Sequence, residues 1–160
     1  MVDVTKTWYE VLEGRSLKNV LEIGSYEGQS TCFLIEFLGR ETGNAITCVD
    51  TWRGSFEHSN ADFSKVEQRF DANTNLALET VPFEVTLTKN KSCYSRTLAE
   101  KIVTGVSFDL IYIDGSHHSM DVLSDIVMSS HILADNGLVI CDDYLWDHGF
   151  KKTNNPNAIP

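Results

Sequence analysis

The sequence predicts an α/β fold, a doubly wound parallel sheet, from three observations. Short apolar runs alternate with helical patterns along the chain, which implies parallel strands joined by right-handed crossovers. The first run opens into a glycine-bearing loop, LEIGSYEGQS, residues 21–30. Two later runs, Leu110 to Ile113 and Leu138 to Cys141, stop on carboxylates: Asp114 in one, Asp142 and Asp143 in the other. In open α/β sheets, ligands bind at the carboxyl ends of the strands.

Each element has its own signal. Trp8, Val11 and Leu12 pattern an amphipathic N-terminal helix that Gly14 ends. Asn19 to Ile23 is the first strand. Gly28 to Arg40 is a helix with Phe33, Leu34, Phe37 and Leu38 on its inner face. Ala45 to Val49 is the second strand, closing on Asp50, and Thr51 to Asn60 a loop. A weakly patterned helix spans about Asp62 to Leu78, its Asn73 and Asn75 read as solvated surface. Pro82 marks the entry to a third strand, Phe83 to Thr88, and a helix from Tyr94 to Val103 ends at Gly105. Phe108 to Ile113 is the fourth strand. A helix from Met120 to Leu133 carries Leu123, Ile126, Val127 and Ser130 at helical spacing and stops at Asn136-Gly137. Leu138 to Cys141 is the fifth strand.

A chain of 160 residues without repeats or a low-complexity linker fits one domain, here residues 1–150, followed by a polar tail, 151–160. The formal charge of −10 argues against nucleic-acid binding, which needs a basic face. No apolar run approaches the length of a membrane span. Cys32, Cys48, Cys93 and Cys141 form no CxxC pair. They fit reduced thiols of a cytoplasmic protein rather than a zinc site.

The loop after the first strand spaces its glycines as GxxxG, Gly24 to Gly28. It lacks the GxGxxG glycine that lets a pyrophosphate approach, which counts against NAD or FAD. Asp50, at the end of the second strand, is placed to accept hydrogen bonds from the two vicinal hydroxyls of a ribose. If the fourth and fifth strands lie side by side, Asp114, Asp142 and Asp143 would make a hard oxygen site for Mg²⁺, Mn²⁺ or Ca²⁺. Asp142 and Asp143 can both ligate if the chain leaves the extended conformation, since adjacent strand residues point to opposite faces. Otherwise one of them caps a turn. Histidine titrates near neutrality, so His117 can take a hydroxyl proton, whereas His118 reads as a surface or helix-start residue.

From Val20 to Trp146 the chain resembles the class I S-adenosylmethionine-dependent methyltransferases. Glu22-Ile-Gly24 is similar to their first motif, Asp50 to their ribose-binding acid, and Asp114 to their acid after the fourth strand. The strings CVDTWRGSFEH, IYIDGSHH and ICDDYLW resemble the metal-dependent sugar O-methyltransferases of the macrocin and mycinamicin type and the cephalosporin-hydroxylase-like group.

The resemblance implies a Rossmann-like sheet of order 3-2-1-4-5-7-6. This chain ends soon after the fifth strand, so the terminal hairpin is expected to be lacking. It also implies cofactor contacts from the first loop (Glu22, Gly24, Ser25, Tyr26, Gly28 and Ser30) and from Asp50, Thr51, Trp52, Ser92 and Asp114. Magnesium would sit on Asp114, Asp142 and Asp143, with His117 and Asp114 as the catalytic pair. Arg53, Glu57 and His58 would cover the cofactor or contact substrate, and Trp146, Asp147 and His148 would line the acceptor pocket. The expected activity is metal-assisted O-methyl transfer to a small hydroxylated acceptor, such as a sugar. A homo-oligomer is left open. The alternative is a non-catalytic S-adenosylmethionine-binding module of a larger protein.

Overall fold

The computed structural model describes residues 4–54 and 62–143. Its elements run α1 (Val4–Leu12), β1 (Asn19–Ile23), α2 (Gln29–Leu38), β2 (Asn44–Asp50), α3 (Val66–Thr80), β3 (Val85–Lys91), α4 (Tyr94–Thr104), β4 (Phe108–Ile113), α5 (Ser119–Ser129) and β5 (Leu133–Cys141). The strands form one parallel sheet in the order β3-β2-β1-β4-β5. No helix among the described residues is long and apolar enough to cross a membrane.

Strand residues alternate between two cores. Val20, Ile46 and Leu110 face one side with Leu12 of α1, Leu34 and Leu38 of α2 and Phe70 of α3. Leu21, Ile23, Val49, Ile111 and Ile113 face the other with Leu98 of α4 and Ile132. Burial on both faces explains why β1 and β4 read as mostly apolar, Glu22 and Asp109 apart, and their bounds match the expected ones.

The register brings the strand ends level. Ile23 pairs with Val49 and with Ile113, and Ile113 with Cys141. Backbone bonds carry the ladder one step further: Gly24 N donates to Val49 O (2.9 Å), Asp114 N to Ile23 O (2.8 Å) and Asp142 N to Ile113 O (2.9 Å). Gly24, Asp114 and Asp142 are thereby pinned side by side along one sheet edge.

Three expectations change. β3 begins at Val85 rather than Phe83, because Phe83 N donates to Gly39 O beyond the end of α2 (3.2 Å) instead of joining the sheet. The last helix ends at Ser129 rather than Leu133, and β5 already starts at Leu133. Pairing jumps from Phe108↔Leu133 to Leu110↔Leu138, so residues 134–137 bulge opposite Asp109, with Asn136 at a left-handed φ of 63°. Asn136-Gly137 thus marks a bulge inside the strand, not the end of a helix.

The third change concerns the face of α5. Leu123, Ile126 and Val127 are exposed, and the buried ridge is Asp125 and Ser129. Both ridges have helical spacing, so periodicity alone could not choose between them. Asp125 Oδ2, Ser129 Oγ and, on α4, Thr97 Oγ1 have no hydrogen-bond partner among the described residues. Burial, and then Asp121, push the Asp125 carboxyl up to about 6. A raised carboxyl pKa means that this contribution to stability is full at about pH 4 and is lost as pH rises through about 6. Asp125→Asn, which cannot ionise, is expected to leave stability unchanged at pH 4 and to raise it by about 1–2 kcal/mol at pH 8. Urea unfolding at the two pH values checks this. A variant no more stable than wild type at pH 8 would contradict it.

Candidate active site

Four loops meet at the carboxyl edge of the sheet. Gly24 adopts φ 89°, and a Cβ there would lie 2.1 Å from the carbonyl oxygen of Asp114. The residue is glycine because the loops after β1 and β4 cross in contact; the constraint comes from the protein's own backbone, not from a ligand. Gly28 begins α2 at φ 86°, against the ring of Phe70.

Glu22 lies beneath this loop and is fully buried. Its carboxylate accepts hydrogen bonds from the hydroxyls of Ser25 (2.6 Å), Ser30 (2.6 Å) and Thr31 (2.5 Å). Burial raises its pKa and the three hydroxyls oppose the rise. Glu22 therefore ties the loop to the first turn of α2 from below.

Asp50 does the equivalent from the side. Ser25 N and Tyr26 N donate to its Oδ2 (2.9 and 2.8 Å), and Trp52 N to its Oδ1 (2.6 Å). Trp52 Nε1 returns to Tyr26 O (2.9 Å). Tyr26 and Trp52 both have positive φ, 45° and 51°, conformations that non-glycine residues hold when their surroundings fix them. Here Asp50 fixes both. Of the four lone-pair positions on its carboxylate, one on Oδ1 stays available, so Asp50 can accept one further hydrogen bond.

At the ends of β4 and β5 the acids gather. Asp114 Oδ1 is 3.9 Å from His117 Nε2, and Asp143 Oδ2 is 3.0 Å from it. Asp114, His117 and Asp143 each present one ligand atom, all within 4.8 Å of one another. β5 ends at Cys141 and Asp143 has φ 53°, so the chain has left the extended conformation before the acidic pair. Asp142 is engaged differently: the Tyr112 hydroxyl donates to its Oδ2 and Asp143 N to its Oδ1 (2.8 Å). The same hydroxyl lies 3.2 Å from Asp114 Oδ2. Burial, followed by the neighbouring Asp142, pushes the Asp114 carboxyl up to about 7. Tyr112 is pushed above its ordinary value by burial and by Asp114.

One cavity of about 530 Å³ joins the two regions, within the range of small-molecule sites. It is lined by Gly24, Ser25, Tyr26, Ser30, Asp50, Trp52, Asp114, His117, Asp142 and Asp143, which brings together most of the residues expected from sequence. Glu22, Gly28, Thr51 and Ser92 stand behind the lining. Thr51 Oγ1 accepts from Arg53 N (3.3 Å), and Ser92 N donates to Asp50 O (3.2 Å). Asn73, expected to be solvated, donates its Nδ2 to Glu27 O (2.9 Å) and so supports the loop. His118 is the residue before α5, as its reading as a helix start anticipated. Glu57, His58, Trp146, Asp147 and His148 lie outside the described residues.

The cavity also recruits residues that the sequence did not assign to the site: Trp8, Glu27, Phe33, Phe63, Tyr94 and Tyr112. Tyr112 had a usable signal, since it stands two residues before Asp114 and so on the same face of the strand. Trp8 had none, because nothing local ties an N-terminal helix to the end of β4. Among the described residues the lining holds Glu27, Asp50, Asp114, Asp142 and Asp143 but no lysine or arginine. Such a surface attracts cations. This donor set fits a hard divalent ion and a positively charged cofactor alike.

Residues 21–144 match the family model described as a methyltransferase domain. No curated protein matches the chain in sequence. Among solved structures the fold is similar to the O-methyltransferase TomG from Streptomyces achromogenes, involved in tomaymycin synthesis and solved with SAM; the TM-score is 0.61 at 13% identity over 99% of this chain and 63% of that one. It is also similar to an O-methyltransferase from Bacillus cereus in complex with SAH, with a TM-score of 0.58 and 19% identity over 98% of this chain and 63% of that one. The MycE methyltransferase of the mycinamycin biosynthetic pathway, solved with Mg and SAH, aligns with a TM-score of 0.56 and 17% identity over 94% of this chain and 37% of that one. The chain spans less than two thirds of the length of each. Sequence motif, sheet order and family match agree: the chain belongs to this family of methyltransferase domains.

Proposed function

We propose that this protein transfers a methyl group from S-adenosylmethionine to a hydroxyl of a small acceptor, a sugar in the resemblance, with a divalent cation, Mg²⁺ first among them, assisting. The observation that carries the reading is the single cavity that runs from the Asp50-knitted loops to Asp114, His117 and Asp143 and has five carboxylates but no lysine or arginine among the described residues of its lining. The Mg and SAH of MycE support the same pairing of cation and cofactor here.

When bound, S-adenosylmethionine would supply an electrophilic sulfonium methyl, the C–S electron pair staying on sulfur, and a divalent cation would lower the pKa of the acceptor hydroxyl. The rest falls to the chain's own residues. Asp50 and Glu22 hold the loop of Gly24, Ser25 and Tyr26 in one conformation, so the cofactor face is ordered before binding. The free lone pair on Asp50 Oδ1 accepts from one ribose hydroxyl. Asp114 and Asp143 hold the cation. Asp142 is anchored by Tyr112 and keeps negative charge behind Asp114. His117 accepts the hydroxyl proton, and Asp143, 3.0 Å from its Nε2, stabilises the resulting imidazolium.

Thermal-shift titration with S-adenosylhomocysteine, with and without Mg²⁺, tests the reading. Each is expected to raise the melting temperature, and the loss of both effects would overturn it. A second role for His117 is favoured by its place among the ligand atoms of the acidic cluster, and one variant separates the two. With His117 as base, His117→Ala lowers kcat by roughly 10²–10⁴-fold and leaves Mg²⁺ affinity nearly intact. With His117 as ligand, Mg²⁺ affinity falls by at least about tenfold, which isothermal calorimetry with Mg²⁺ reads directly.

A further inference from the structure

The end of the cavity beside the acidic cluster is walled by aromatic rings from three different elements. Phe33 of α2 meets Trp8 of α1 edge to face, with centroids 5.5 Å apart at 67°. Trp8 meets Tyr112 of β4 in the same way, 4.6 Å apart at 75°. The Tyr112 hydroxyl then reaches Asp142 and Asp114. The wall therefore ends at the carboxylates, and all three rings line the cavity. The other aromatic residues of the lining are Trp52, Tyr26 with Phe63 (centroids 6.0 Å apart), and Tyr94, whose ring packs against Gly115. Trp52 follows β2, two strands from β4 in the sheet order, which is roughly 10 Å at the spacing of neighbouring strands. The wall of Trp8, Phe33 and Tyr112 is thus placed for the acceptor rather than for the cofactor.

We propose that this wall selects an acceptor with a flat aromatic body next to its reacting hydroxyl, in place of the sugar that the resemblance suggests, an inference that rests on the methyl-transfer reading above but not on its sugar acceptor. Trp8 is the specificity-determining residue. A ring laid against the wall keeps its apolar surface on Trp8 and Phe33 and extends its oxygen to Asp114, Asp143 and His117. A pyranoside has hydroxyls around its whole rim. Laid on the wall it presents a puckered C–H face, which covers less of the rings than a flat aromatic face does, and its rim hydroxyls still need polar partners. Aromatic pairing should favour the flat ring by roughly fivefold to tenfold in affinity.

The matched probes are benzyl alcohol and cyclohexylmethanol, whose hydroxyls have similar acidity and whose rings differ in flatness, together with methyl α-glucopyranoside. Binding is read by ligand-observed NMR in the presence of S-adenosylhomocysteine and Mg²⁺, and turnover by methyl transfer from labelled S-adenosylmethionine. The wild-type chain is expected to prefer benzyl alcohol to cyclohexylmethanol by at least about fivefold. Trp8→Leu should bring that ratio near one, with S-adenosylhomocysteine affinity within about twofold of wild type, and Trp8→Phe should restore part of the preference. Equal binding of the two alcohols, preference for the glucoside, or a ratio untouched by Trp8→Leu overturns the inference while leaving the methyl-transfer reading intact. If calorimetry finds no S-adenosylhomocysteine binding to the wild-type chain, the parent reading fails and takes this one with it.

Discussion

Asp114→Asn is expected to slow methyl transfer about a thousandfold while making the metal-free protein more stable at pH 8. The two effects share one cause. Burial and the adjacent Asp142 push the Asp114 carboxyl up to about 7, so ionising it near neutral pH costs folding energy that a bound cation would return. The folded pKa lies above the unfolded value, so this contribution is full below about pH 4 and is lost as pH rises through about 7. Asparagine cannot ionise and keeps an oxygen for the Tyr112 hydroxyl. The gain at pH 8 should be on the order of 2 kcal/mol, discounted because about a third of the side chain stays wet. Removing a cation ligand should lower turnover on the order of 10³-fold, the equivalent of several kcal/mol of lost transition-state stabilisation. Melting curves at pH 5 and pH 8, with and without Mg²⁺, separate the parts. Wild type should gain from Mg²⁺ at pH 8 and the variant should not. A variant that is less stable at pH 8, or as responsive to Mg²⁺ as wild type, would contradict the role of Asp114.

The carboxyl edge of the sheet was legible because two independent patterns coincide there. Strands buried on both faces give mostly apolar runs, and the first polar residue after each run marks the edge. Hence the bounds of β1 and β4 match, and Asp50, Asp114, Asp142 and Asp143 all reach the cavity. What was illegible depended on contacts between residues distant in sequence. Glu22 was expected among the cofactor contacts because Glu22-Ile-Gly24 resembles the family's first motif, but it is buried beneath the loop, where Ser30 and Thr31 hold it. The division of labour between Asp142 and Asp143 follows from Tyr112, thirty residues before Asp142. In α5 the apolar ridge is exposed and the ridge of Asp125 and Ser129 is buried, the reverse of what hydrophobicity suggests.

The second large effect is expected at Asp50. Asp50→Ala removes the acceptor for the amides of Ser25, Tyr26 and Trp52 together. Each buried donor left without a partner costs about 1–3 kcal/mol, so global stability should fall by about 3 kcal/mol. S-adenosylhomocysteine affinity should fall by at least about a hundredfold, because the loop must be reordered on binding. Asp50→Asn is nearly as damaging: its oxygen can serve Ser25 and Tyr26, but its NH₂ group then faces the Trp52 N–H, donor against donor. Loss of affinity alone does not distinguish a loop brace from a ribose ligand. A cycle with analogues of S-adenosylhomocysteine that lack the 2′- or the 3′-hydroxyl does. One lone pair remains on Oδ1, so wild type should lose at least about tenfold with one analogue and little with the other, a single charge-assisted hydrogen bond being worth about 1.5–3 kcal/mol. In Asp50→Ala both analogues should bind like the parent compound. Equal binding of all three compounds to wild type would leave Asp50 as a brace for the loops and remove it from the ribose site. Equal losses with both analogues would mean instead that Asp50 exchanges one of its backbone partners for the second hydroxyl when the cofactor binds.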